Sequence, residues 1–382
     1  MSFFNFQKVE QQLGYKYAPH GLLASNMAVR ANLPDSIYMD WMHSICSSGG
    51  VGQYEVNQFL VRLVRLAGRQ ILGQLDNFRQ AIVWPKREPR HTGLKLEDRV
   101  VMKRTSHVRM FASECLQIIM VLGLYSVLQL QPMGMLLEEV ECLLLLGRIV
   151  GILRSGHRAV ARVMLLRQLV LQHHDMFLRL YPGCAKIKPH LLFHIVDCIE
   201  YFQANLSCFS TERKHKASKH IGSFAYKRWC LTMMRRDLQK LMEHAAKPDA
   251  FRDYRLDNAK QFALPRTFHE AASGIGLQLM HLQLQLEGKV LHTPVGAVHV
   301  NDLVAFAATD GSMAVGFALK LLQHADGSYW CLLLALESLG GAAYNKANGQ
   351  NCLIPATAVR GTFPYFSSGE RWYLVAPVDL FQ

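Results

Sequence analysis

At 382 residues, half of them hydrophobic and 19% charged, the chain can bury a large core over two or three domains, which excludes an intrinsically disordered protein. Forty-two Lys and Arg against 29 Asp and Glu leave a net charge of +13, which points to a polyanionic partner: nucleic acid first, an anionic membrane surface second. Nine scattered cysteines, odd in number and without C-x-x-C spacing, exclude a disulfide framework and suit buried thiols in a reducing, intracellular compartment.

Residues 1–33 are weakly patterned, and the first 14 lack the apolar stretch of a signal peptide. Pro34 and Asp35 mark a turn, after which the β-branched and aromatic run 36–42 is expected to be a strand. Asp40 and His43 follow in D-x-x-H spacing. They form either a polar pair that satisfies itself at the strand end or part of a functional site. From Tyr54 the period changes: Val56, Phe59, Leu60, Leu63, Val64, Ala67, Ile71 and Leu75 recur every three or four residues, with Arg62, Arg65 and Arg69 turned outward. That spacing predicts one amphipathic helix. A basic loop around Pro85 and Pro89 ends near Leu94, and helices are expected over 106–130, 134–153 and 157–180, the last stopped by Tyr181, Pro182 and Gly183.

The most apolar span, 116–153, is interrupted by Gln129, Gln131, Pro132, Glu138, Glu139 and Glu141, so it reads as two buried helices and not as membrane spans. Arg148, Arg154, Arg158, Arg162 and Arg167 fit a solvated face. His190 and His194 stand four apart with Cys184, Cys198, Cys208 and His215 near in sequence. The spacing matches no closed four-ligand zinc pattern, and hydrogen-bonded core histidines are the expectation.

Residues 211–240 concentrate the charge. Arg213, Lys214, Lys216, Lys219, Lys227, Arg228, Arg235, Arg236 and Lys240 stand against only Glu212 and Asp237, a local net of +7. Ser210 or Thr211 can cap a helix over 212–245, in which Phe224, Tyr226 and Trp229 interleave with the cations. Such a surface suits phosphate contact with stacking; a solvated helix face with its aromatics turned to the core is the competing interpretation. Beyond Pro248 the character shifts. Residues 265–382 are net −2 and the first 264 net +15. Short alternating runs at 289–300, 303–308, 314–322, 329–336, 353–358 and 372–375 are separated by turns containing Asp310-Gly311, Asp326-Gly327 and Asn348-Gly349, which predicts a small all-β barrel. The chain contains no repeat, low-complexity tract or phosphate-binding loop spacing.

Three segments, YMDWMH at 38–43, KPHLLFH at 188–194 and CFSTERKHKASK at 208–219, occur in an order that resembles the later part of the CACTA-type (En/Spm) DDE transposases. The resemblance covers about residues 33–245. It implies that Asp40 and His43 are the family's D-x-x-H pair, and that His190, His194, Glu212, His215 and Lys219 follow its K-x-H…H and E-x-x-H…K pattern. Glu212 would then be the third catalytic carboxylate. The implied fold is α+β, a partial RNase H-like core with a helical insertion followed by the small barrel. Its expected parts are a core-strand region at 1–53, the insertion at 54–205, a basic closing helix and linker at 206–260, and the β module at 261–382.

DDE chemistry holds two Mg²⁺ ions between carboxylates. The family's first two aspartates precede its D-x-x-H element, and here only Glu10 and Asp35 are acidic among the 39 residues before Asp40. The expectation is a nuclear, transposase-derived DNA-binding protein without independent strand cleavage and with no complete metal site, Mg²⁺ entering only if a DDE site were completed. DNA is the expected partner, a protein or chromatin ligand of the barrel a further one, and a membrane is not expected. The alternative is a helical scaffold that binds protein or chromatin through its barrel.

Overall fold

The computed structural model describes residues 38–86, 93–103, 106–156, 158–184, 187–208, 239, 254–261, 284–308, 310–340, 343–345, 351–368 and 371–375. It is a mixed α+β structure, 48% helical and 27% strand: helices before residue 208, and an antiparallel sheet curled into a half-barrel after residue 254.

The expected strand at 36–42 is not formed over its described residues 38–42. Asp40 instead caps a short helix, α1 (Trp41–Ile45), its carboxylate accepting the His43 N–H at 2.9 Å. The chain then turns at Gly49 (φ +72°) and Gly50 into α2 (Val51–Ala67). A Cβ on Gly50 would lie 2.4 Å from the Ile45 carbonyl oxygen, so only glycine fits this tight return. The single helix predicted from Tyr54 through Leu75 is two. Gly68, at φ +82°, ends α2 with its N–H on the Val64 carbonyl at 2.9 Å, and α3 (Gln70–Ala81) starts in a new direction. Arg65 and Arg69 face solvent as expected. Arg62 does not: it crosses to pair with Glu139 and lies over the Tyr181 ring at 4.9 Å.

After the short α4 (Leu96–Arg99), helix α5 (Ala112–Tyr125) runs on through a π-helical turn (Ser126–Leu130). Then come α6 (Leu137–Arg154), the single turn α7 (Arg158–Ala161), α8 (Val163–Leu180) and α9 (Ile187–Phe202). Phe59, Leu60, Ile118, Leu122, Leu143, Leu146, Ile149, Phe177 and Ile199 are fully enclosed, and together they knit α2, α5, α6, α8 and α9 around one core. Among the described residues, Ala112–Leu130 is long and apolar enough to cross a membrane, but 67% of it is buried inside this core.

The sheet is built on the hairpin of β7 (Met313–His324) and β8 (Tyr329–Gly340), joined at Asp326 and Gly327 as the sequence predicts. Each long strand changes partner along its length. The first half of β7 pairs with β6 (Leu303–Ala307) and its second half with β3 (Leu284–Gly288). The first half of β8 pairs with β10 (Asn351–Pro355) and its last residues with β9 (Ala343–Asn345). A register shift between Ala318 and Lys320 bends the hairpin at its middle, and that bulge lets one sheet curl without a break. The outer strands are β11 (Val359–Phe363) on β6, and β13 (Arg371–Leu374) with β12 (Tyr365–Ser368) beyond β9.

The sheet also takes in residues ahead of position 261. Strand β2 (Lys260–Gln261) pairs with β3, while β1 (Arg255–Asp257), β4 (Val290–Thr293) and β5 (Gly296–His299) form a separate three-stranded antiparallel sheet in the order β1-β4-β5. Helices and sheet share a seam. Val83 and Tyr365 exchange two backbone hydrogen bonds, 2.8 and 2.9 Å, and Ile82, Trp84, Met120, Val121 and Leu124 pack with Val375, Phe366 and Tyr373.

Candidate nucleic-acid interface

The segment after α9 is stitched back onto the start of α1. The Tyr38 hydroxyl donates to the Ala204 carbonyl at 3.0 Å and accepts the Leu206 N–H at 3.1 Å, while its ring meets Phe202 at 5.7 Å. Asn205 donates to the carbonyls of Leu153 and Gly156, at 2.6 and 3.2 Å, which ties the same segment to the end of α6. Asp40 completes the junction. One carboxylate oxygen holds the His43 N–H and, at 2.6 Å, His43 Nδ1; the other accepts the Cys208 N–H at 2.8 Å. The D-x-x-H pair thus stands against Cys208, four positions ahead of Glu212 in the chain. Glu212, Arg213, Lys214, Lys216, Lys219, Lys227, Arg228, Arg235 and Arg236 lie outside the described residues, as does the helix expected over 212–245 apart from position 239.

Beside this junction opens a cleft of about 1690 Å³. Among the described residues its ionisable lining consists of His43, Lys86, Arg99, His107, Arg109 and Arg154, without a carboxylate. Glu114 stands behind Arg99 at 3.8 Å and is itself buried. Trp41 and Phe111 add aromatic surface, and Phe111 is 71% exposed. Anions entering such a space meet several positive charges in a partly desolvated setting, where each is worth more than on an open surface.

The cleft's shape is set by polar side chains of α2. Gln53 donates to the carbonyls of Cys46 and Met110 at 2.8 and 2.7 Å. Asn57 grips Val101 through both its amide oxygen and nitrogen and also reaches the Ser106 carbonyl at 3.0 Å, where Gln58 joins it at 3.1 Å. These amides are buried because the loop they hold would otherwise leave its own backbone groups without partners. Across the loop, Arg99 and Arg109 are tied by two backbone-directed bonds, Arg109 N–H to the Arg99 carbonyl at 3.2 Å and Arg99 Nη1 to the Arg109 carbonyl at 3.0 Å. His107 meets Ser48 at 3.2 Å and the Tyr54 ring edge-on at 5.3 Å. Lys86 donates to the Val300 carbonyl of the sheet at 3.2 Å, and Arg154 reaches Met120 Sδ at 3.0 Å.

Sequence reasoning singled out none of Lys86, Arg99, His107 and Arg109. Lys86 and the pair His107 and Arg109 come from two loops and Arg99 from the end of the one-turn α4, all without periodicity, and only the basic character of the first loop hinted at them. Arg154 is exposed, as expected of a solvated face, and lines the cleft. Arg167 of the same group pairs with Asp197 and Glu200 at 3.0 and 2.6 Å. His190 and His194 touch edge-on at 4.9 Å, but among the described residues they form no ligand group with Cys184, Cys198 or Cys208.

Asp40, His43 and Cys208 do bring one ligand atom each within 4.8 Å of one another. A carboxylate, an imidazole and a thiol do not suit Mg²⁺, which takes oxygen ligands, and both Asp40 oxygens already accept protein hydrogen bonds. The described residues therefore do not fit a two-Mg²⁺ centre. Comparison with protein-family models, with curated proteins and with solved structures returns no match.

Proposed function

We propose that the chain is a transposase-derived DNA-binding protein, acting in the nucleus, that does not cut DNA by itself. The observation that carries DNA binding is the cleft whose charged lining, among the described residues, is cationic or imidazole. Ser207 lines the cleft and stands four residues ahead of the +7 segment 211–240 in the chain. Phosphates would be neutralised by Lys86, Arg99, Arg109, Arg154 and the cations of that segment, with Phe111 offering a ring to an unpaired base. Asp40 acts here as a positioning residue: its carboxylate is spent on α1, His43 and Cys208. A partial RNase H-like core remains part of this reading, as do Glu212 as the family's third carboxylate and a protein or chromatin ligand for the half-barrel.

The test is duplex-DNA binding over a salt series for three chains: the intact protein, Lys86→Ala/Arg99→Ala/Arg109→Ala, and Arg213→Ala/Lys214→Ala/Lys216→Ala/Lys219→Ala. Tight binding is expected, with the slope of log affinity against log salt shallower by about 0.9 for each phosphate contact removed. Binding without salt dependence overturns the proposal and favours the scaffold that works through its half-barrel. Mg²⁺-dependent nicking that disappears in Glu212→Gln would instead establish an active nuclease.

A further inference from the structure

In the helical core, away from the cleft, three ionisable side chains meet without solvent. Glu55 on α2 and His173 on α8 have side chains 0% and 1% exposed, and Cys142 on α6 is equally enclosed. Their ligand-capable atoms lie within 4.8 Å of one another, and Glu55 Oε2 stands 2.7 Å from His173 Nε2.

What sets the cluster apart is what it leaves unsatisfied. Glu55 Oε1, His173 Nδ1 and the Tyr181 hydroxyl are buried with no N–H or O–H partner, and the Glu55 carboxyl is otherwise met by His173 and the Cys142 thiol. Tyr181 follows α8 directly, and burial pushes its hydroxyl well above the ordinary tyrosine value. Orphaned atoms are few in a packed core, and an enclosed carboxylate with an unbonded oxygen is costly unless something compensates it. Arg62, two turns further along α2, is no such compensation: it is taken by Glu139, by the Leu180 carbonyl at 2.5 Å and by the face of the Tyr181 ring.

We propose that Glu55, Cys142 and His173 form a buried site for one divalent transition metal, zinc by its chemistry. Three mixed S, N and O donors suit Zn²⁺, which leaves a fourth position open in its tetrahedron, whereas Mg²⁺ and Ca²⁺ take oxygens alone. Charge balances. The ion brings two positive charges, and two protons leave, one from the Cys142 thiol and one shared by the Glu55–His173 pair, so the core stays neutral. The ligands come from three helices far apart in sequence, so the ion staples α2, α6 and α8. Because the site is closed to solvent, metal enters as the chain folds.

The experiment uses the full chain. Zinc is measured by mass spectrometry on the purified protein, which is then unfolded in chelator and refolded with cobalt(II). One equivalent of zinc is expected, with a thiolate-to-cobalt charge-transfer band in the cobalt form. Both should be lost in Cys142→Ser and kept in Cys208→Ser, which disables the surface group at Asp40. A wild-type chain without the metal or without the band overturns the site, as does a band lost in Cys208→Ser and kept in Cys142→Ser. Should Cys142→Ser fail to fold, a folded wild-type or Cys208→Ser chain without the band still overturns the site, since the band requires a thiolate ligand.

Discussion

Cys208 donates its backbone N–H to Asp40 at 2.8 Å although 168 residues separate the two. The same carboxylate caps α1, so one side chain both starts the first described helix and holds the far end of the helical part against it. Replacing Asp40 with Ala removes the cap and the tether together. The expected loss is about 1–3 kcal/mol, a cap plus one charge-assisted hydrogen bond. Asp40→Asn keeps an oxygen for one role and should recover part of it. Urea unfolding of the three chains measures this, and an unchanged midpoint for Asp40→Ala would show the junction to be inert.

The Glu55–His173 pair predicts a non-additive cycle in the metal-stripped chain. Glu55→Leu or His173→Leu alone leaves a buried polar partner and should cost about 3–5 kcal/mol. The double variant Glu55→Leu/His173→Leu removes both and should be more stable than either single one. Denaturant unfolding of the four chains gives the coupling; additive losses would mean that the two groups do not depend on each other.

At the seam between helices and sheet, Trp84 is 7% exposed and Val83 holds Tyr365 by two backbone bonds. Trp84→Ala should cost about 3–5 kcal/mol, as for other large-to-small changes in a core. If the seam makes helices and sheet unfold together, the variant should separate one thermal transition into two in calorimetry. A single transition at an unchanged temperature would argue against the seam.

The β7–β8 turn supplies a pH dependence. Asp326 accepts hydrogen bonds from Ser328 and faces His324 at 2.9 Å, which together hold its carboxyl at about 2, below the ordinary carboxylate value. A depressed folded value means that the contribution is complete above the unfolded value of about 4 and is lost as pH falls through about 2. Thermal unfolding of wild type and Asp326→Asn should therefore differ at pH 6 and converge at pH 2. A difference that persists at pH 2 would place the effect elsewhere.

Local pattern made much of the fold legible. The three- and four-residue recurrence of Phe59, Leu60 and Leu63 marks α2, and the Asp-Gly pairs at 310 and 326 place the turns that flank β7. The short strands β1, β2, β9 and β12 carry no alternation long enough to read, because two to four residues become a strand only when a partner offers its edge. The expected strand at Asp40 failed for a related reason: strand propensity in its neighbours lost to a carboxylate already placed to cap a helix.

By itself, the sequence determined the charge division between the two halves, the apolar periods, the turns and the basic run, all properties of residues close together in the chain. Only the tertiary structure decided which segments bring Lys86, Arg99, His107 and Arg109 to one cleft, and that Glu55, Cys142 and His173 meet. Those convergences depend on how helices pack, and packing is fixed by the shapes of whole faces, to which no spacing between single residues gives access.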